Sequence, residues 1–127
     1  MLVQQFSFGK DNFLIEASFI NVGDDYVVVF GGGEKPHIGA VGLGVPRPSL
    51  KMDGTCSSSA SVICLTGHKE DLLARTAALE LSKAFQHSVT VTVGIHIDDV
   101  APEAIGVIES HFKFLLEQII EWGISVE

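Results

Sequence analysis

Positive charge is scarce in this chain: 8 Lys and Arg stand against 16 Asp and Glu, a net charge of −8. That balance repels polyanions, so neither nucleic acid nor an anionic membrane surface is expected as a partner. Cysteine is limited to Cys56 and Cys64, with no CxxC pair. This excludes a disulfide framework and a zinc finger, and predicts buried thiols in a reducing, cytoplasmic setting. Trp122 and Tyr26 are the single Trp and Tyr, and neither lies within the glycine-rich segments. Met1 to Lys10 lacks a basic and then apolar leader pattern, so no export signal is expected. No apolar run approaches the roughly 18–20 residues of a membrane span. GxGxxG, GxxxxGK[ST], GxSxG and HExxH are all missing, which removes the standard nucleotide loops, the serine elbow and the helical zinc site.

What is present suits one domain over residues 1–127. Hydrophobic residues make up 46%. A chain of this length hides roughly two-thirds of its unfolded surface on folding, and needs no metal or disulfide to do so. Leu2 to Phe8 alternates and reads as a strand, Phe13 to Ile20 as a second, and Tyr26–Phe30, apolar on both faces, as a central third. Ile38 to Val45 and Cys56 to Leu65 follow, the latter entering the core at its Val62–Leu65 end. Helix one is predicted from about His68 to Phe85, burying Leu73, Ala74, Ala77, Ala78, Leu81, Ala84 and Phe85. Val89, Val91, Val93 and Ile95 alternate as a further strand, and helix two starts near Pro102. Its core stripe is Ile105, Ile108, Phe112, Leu115, Leu116, Ile119 and Ile120. The expected class is α/β of the α+β type, a mostly antiparallel N-terminal sheet with helix–strand–helix packed on it. Leu72 with Leu79, and Val107 with Phe114, lie off the core stripes. They are either scattered surface residues or a second packing face, for which a homodimer is the expected source.

Three histidine-bearing segments stand where strands should end: Gly31-Gly32-Gly33-Glu34-Lys35-Pro36-His37-Ile38-Gly39, Thr66-Gly67-His68-Lys69-Glu70-Asp71 and Gly94-Ile95-His96-Ile97-Asp98-Asp99. Loops at strand ends hold polar groups on a rigid scaffold. The triple glycine frees the backbone to form an amide nest for an anion, or is simply a tight loop. His68 and Lys69 fall at a helix N-terminus, whose amides favour an anion, while Glu70 and Asp71 complement the helix dipole. His96 and Asp98 face one way if the strand persists, so the carboxylate could set the imidazole's tautomer. Lys35, Arg47, Lys51 and Lys69, half of the eight cations, fall between residues 34 and 70. An anionic ligand is therefore expected at a composite site, with a metal held by His37, His68 and His96 as the alternative. His87 is read as a turn residue and His111 as a helix-surface residue.

Lys35-Pro36-His37-Ile38-Gly39-Ala40-Val41, then Gly67-His68-Lys69-Glu70-Asp71, then Gly94-Ile95-His96-Ile97-Asp98 together resemble the LpdD-like family. These small proteins are described as prenylated-flavin chaperones of gallate-decarboxylase systems. The resemblance runs from about residue 12 to residue 120. It implies an accessory, chaperone-like role beside a UbiD-type decarboxylase, with prenylated FMN or FMN as cofactor, and a looser likeness in fold to dimeric proteasome-assembly chaperones. The ligand-binding residues expected on this basis are Gly31, Gly32, Gly33, Lys35, Pro36, His37, Gly39, Gly67, His68, Lys69, His96 and Asp98, with none catalytic. A small enzyme built on His37, His68 and His96, and an assembly factor with no small ligand, remain as the other readings.

Overall fold

Alternation along the first strands sets a sheet with one apolar face. The computed structural model describes residues 1–65, 70–98 and 101–126. Its strands are β1 (Val3–Phe8), β2 (Ile15–Val22), β3 (Asp25–Gly33), β4 (Ala40–Pro48), β5 (Cys56–Cys64) and β6 (Val89–His96). Helices α1 (Glu70–Phe85) and α2 (Pro102–Ser125) complete the chain. The six strands form one sheet in the order β1-β2-β3-β6-β4-β5. All pairings are antiparallel except β3 with β6. The chain is thus α/β with a mostly antiparallel sheet, as expected.

Both helices pack on the same face of the sheet. Ile15, Ala17, Phe19, Val28, Phe30, Val89, Val91 and Val93 point into that face and are buried. Period-2 alternation supplies the strand side of the core and 3.6-residue periodicity the helix side. α1 covers β4, β5 and β6, and α2 lies over β1 and β2. α1 comes close because β4 presents Gly42 and Gly44 to it: a Cβ on Gly44 would collide with the carbonyl oxygen of Ala78. Ala74, Ala77 and Ala78 on the helix complete this close approach, all fully buried. At the other end Phe6, Phe19, Phe85 and Trp122 pack edge to face. Such contacts add stability beyond area burial.

Three expectations need correction. Gly31–Gly33 is not a loop, because β3 continues through it, paired to β2 and β6. β5 does not enter the core at its far end: Ile63, Cys64 and Leu65 are exposed, since β5 is an edge strand. His111 is not a plain surface residue. Its Nδ1 lies 3.0 Å from the carbonyl oxygen of Phe13, and its ring meets Phe8 edge to face.

Gly44→Ala should destabilise the fold by about 1–3 kcal/mol, the usual cost of overpacking. Gly106→Ala, in α2 with open space around its Cα, should instead stabilise it by about 0.5–1 kcal/mol through helix propensity. Urea unfolding followed by circular dichroism measures both. Equal midpoints for wild type and Gly44→Ala would show that α1 does not seat on the strand as described.

Candidate functional site

β6 lies between β3 and β4, so the Glu34–Gly39 connection must step across the C-terminal end of β6. Backbone hydrogen bonds fix it there. The amides of Glu34 and Lys35 donate to the carbonyl of His96, that of His37 to Gly94 and that of Gly39 to Val93. The Gly33 amide donates to Leu14. These amides are therefore committed to the sheet and its edge, and the expected anion nest at Gly31–Gly33 does not form. The glycines serve close approach instead. A Cβ on Gly94 would collide with the His37 carbonyl, and one on Gly39 with the Glu70 carboxylate.

Glu70 is the residue that sequence reasoning undervalued. It opens α1, yet it is buried, 6% exposed, rather than a solvated complement to the helix dipole. Its Oε1 accepts from the Ile95 amide at 3.2 Å and lies 3.1 Å from His37 Nε2. Its Oε2 is buried with no partner among the described residues. The other ring nitrogen, His37 Nδ1, sits 3.1 Å from the Lys35 carbonyl oxygen. A carbonyl only accepts, so Nδ1 carries a hydrogen, and the Nε2–Oε1 contact then needs one further proton between its two atoms. The usable sequence signal was the Gly-His-Lys-Glu-Asp run itself, together with a glycine at position 39 to receive the carboxylate.

His96 lies across from His37, ring centroids 6.3 Å apart. Its Nε2 is 2.7 Å from Asp98 Oδ1. Asp98 is exposed at the surface, and the hydrogen bond and charge of His96 hold its carboxyl below the usual carboxylate range, with Lys35 adding a smaller pull. Of the predicted site residues, the structure brings His37, Gly39, His96 and Asp98 together, with Lys35 and Pro36 on the crossing segment. Gly67, His68 and Lys69 lie outside the described residues. Among the described residues no three His, Cys, Asp or Glu side chains gather to hold a metal.

The polar cluster stands at one end of a cleft between α1 and α2. Its volume is about 780 Å³. Glu70 and His96 line it, and Leu73, Ile95, Ile105, Ile108 and Phe112 supply apolar wall. Size and lining fit a small-molecule pocket: a mostly apolar chamber with a few convergent polar groups. Its place also fits, since open α/β sheets bind ligands beyond the carboxyl ends of their parallel strands, here β3 and β6.

The sequence profile of the prenylated flavin chaperone LpdD-like domain matches residues 9–123. The chain belongs to this family. No curated protein matches it. LpdD-like membership supports a role of the prenylated-flavin chaperone kind, and no helix among the described residues is long and apolar enough to cross a membrane.

The His96–Asp98 contact sets a pH dependence. Because the folded carboxyl is lowered, the contact is intact above the ordinary aspartate pKa of about 3.9 and is lost as pH falls through the lowered value. His96→Ala should return Asp98 to the ordinary range in an NMR titration of the carboxyl carbon. An unchanged titration would mean that the imidazole does not hold the carboxylate.

Proposed function

We propose that this protein is an accessory, chaperone-like factor that holds a flavin-type ligand, prenylated FMN or FMN, for a UbiD-type decarboxylase. The observation that carries this is the α1–α2 cleft, mostly apolar in its walls, with Glu70 and His96 at one end and Glu80, Glu109 and Lys113 also in its lining. A prenylated flavin has a flat ring system with polar edge atoms, an added apolar ring and a phosphate. The cleft's aliphatic wall and Phe112 suit the ring system and its apolar addition. Glu70 and His96, which line the cleft, suit ring N–H and carbonyl groups, since a carboxylate accepts and an imidazole does either. Lys35, exposed on the segment that bears His37, would meet the phosphate on this reading, with Lys69 as its expected companion.

The chemistry of the residues favours holding over turnover. His37 is occupied on both nitrogens and His96 is tied to Asp98. When bound, the cofactor would supply the redox-active ring. The protein's own part would be to orient that ring and keep water from it. Among the described residues neither cysteine is in a disulfide, which fits work in a reducing cytoplasm.

Titration with FMN and with prenylated FMN, read by flavin fluorescence, tests this. Thr76→Trp, which puts bulk into the cleft from an exposed position of α1, should weaken binding of both flavins at least tenfold with the fold intact. Changing Lys35 and Lys69 together to Ala should weaken FMN at least tenfold and leave riboflavin, which has no phosphate, unaffected; charge-assisted contacts of about 1.5–3 kcal/mol each are enough for that. No flavin binding by the wild type, with stoichiometric zinc lost on changing His37, His68 or His96, would reverse the reading toward a metal-binding protein.

A further inference from the structure

We infer that the helix-free face of the sheet is the interface of a homodimer, two copies stacking sheet against sheet. The inference is independent of the ligand reading, because it rests on the opposite side of the molecule.

Register identifies the residues of this face. Val3, Ile20, Val27, Thr90, Leu43 and Ser61 form one continuous row across all six strands. The next row runs through Gln5, Ser18, Val29, Thr92, Val41 and Ile63. Neither row contains a charged residue. Val29, Leu43, Val45 and Ile63 are 38%, 45%, 45% and 69% exposed. An antiparallel sheet that faces water alternates apolar inward with polar outward, and solvated strands usually carry Lys or Glu outward. On the central strands β3, β6 and β4 these rows present only Val, Leu and Thr, side chains that pack rather than hydrate; the polar outward residues of the rows, Gln5, Ser18 and Ser61, lie toward the sheet's two edges. In a chain with 16 acidic residues, their exclusion from these rows is the informative fact.

The size is right for a second copy. Six strands at about 4.8 Å spacing and about six residues of rise near 3.3 Å give roughly 500 Å² of projected face per copy. Two faces bury on the order of 1,000 Å², the threshold for a specific interface, and side-chain relief adds to it. Charge placement is also self-complementary. Glu16, on β2, faces outward at the end of the sheet where β3 finishes; Arg47, on β4, faces outward at the opposite end and the other side of the centre. A two-fold axis lying between the stacked faces and exchanging these corners sets Glu16 of each copy near Arg47 of the other. In such an isologous contact each copy's Glu16 meets the other's Arg47, so the pair is made twice. Asp25, at the start of β3, lies at the Arg47 end of the rim and leaves the rows uncharged. The off-core helix residues offer less: Leu79 is half-buried, and Phe114 is stacked on Phe8 of its own chain.

Light scattering at micromolar concentration should give about twice 13.6 kDa for the wild type. Leu43→Asp and, separately, Val29→Lys should each give the monomer mass with an unchanged circular dichroism spectrum, since both side chains are already solvent-accessible in one copy. Leu72→Asp, on the helix side, should stay dimeric. Glu16→Arg should weaken the dimer, and adding Arg47→Glu should restore it. A monomeric wild type would overturn the inference, including the case in which another segment or a different protein covers the face. So would a dimer that survives both face variants, or one that Leu72→Asp dissociates.

Discussion

The Glu70 carboxylate is the constraint on which the functional end of the molecule depends. Burying a carboxylate costs several kcal/mol unless hydrogen bonds replace its water. The partners available are the Ile95 amide of β6 and the ring of His37 on the segment joining β3 to β4. One side chain at the start of α1 thereby ties the helix to two neighbouring parts of the sheet edge. Gly39 must lack a side chain for the carboxylate to fit, and Gly94 must lack one for His37 to pass. Helix position, strand order and two glycines are all bound to a single buried acid. Loss of that acid would leave an imidazole edge and a backbone amide unpaired in its place, which is the costly side of the hydrogen-bond asymmetry.

Strand order explains why the histidines meet. β3 and β4 follow one another in sequence, but β6 separates them in space, and the parallel β3–β6 pair brings Gly33 opposite His96. The β3–β4 connection then has only one route, over the end of β6. A hairpin between β3 and β4 would have left His37 beside its own strands and His96 elsewhere. Non-local insertion of a late strand therefore builds the site from two segments far apart in the chain.

Much of this was legible in the residues. Alternation over Val89–Ile95, the Ala-rich face of α1 and Pro102 at the head of α2 fixed those elements, because periodicity and capping are local physics. His96 and Asp98 were expected to pair on a persisting strand; β6 ends at His96, and the contact forms across the turn that follows it. What escaped was non-local. Gly31–Gly33 reads as a loop because triple glycine is usually flexible; as strand it is held by neighbours on both sides and relieved of Cβ clashes with Ile15, Pro36 and His96. β5 looked core-bound from its Val-Ile-Cys-Leu run, and only the sheet order shows that it is an edge. Glu70 looked like ordinary helix-start charge, since burial of a first-turn carboxylate depends on what the sheet presents to it.

Both faces of the sheet carry apolar surface. The inner face, with its small residues on β4, draws α1 down onto the sheet; α1 and α2 then leave a cleft between them. At the centre of the outer face alternation puts Val, Leu and Thr where a solvated sheet would carry charge. On the reading proposed above, the cleft holds the ligand and the outer face holds the second copy. The two sites then lie on opposite sides of one sheet and do not compete for surface. A face-to-face dimer would leave both clefts pointing outward, each with its Glu70–His37 end open to a partner that receives what it holds.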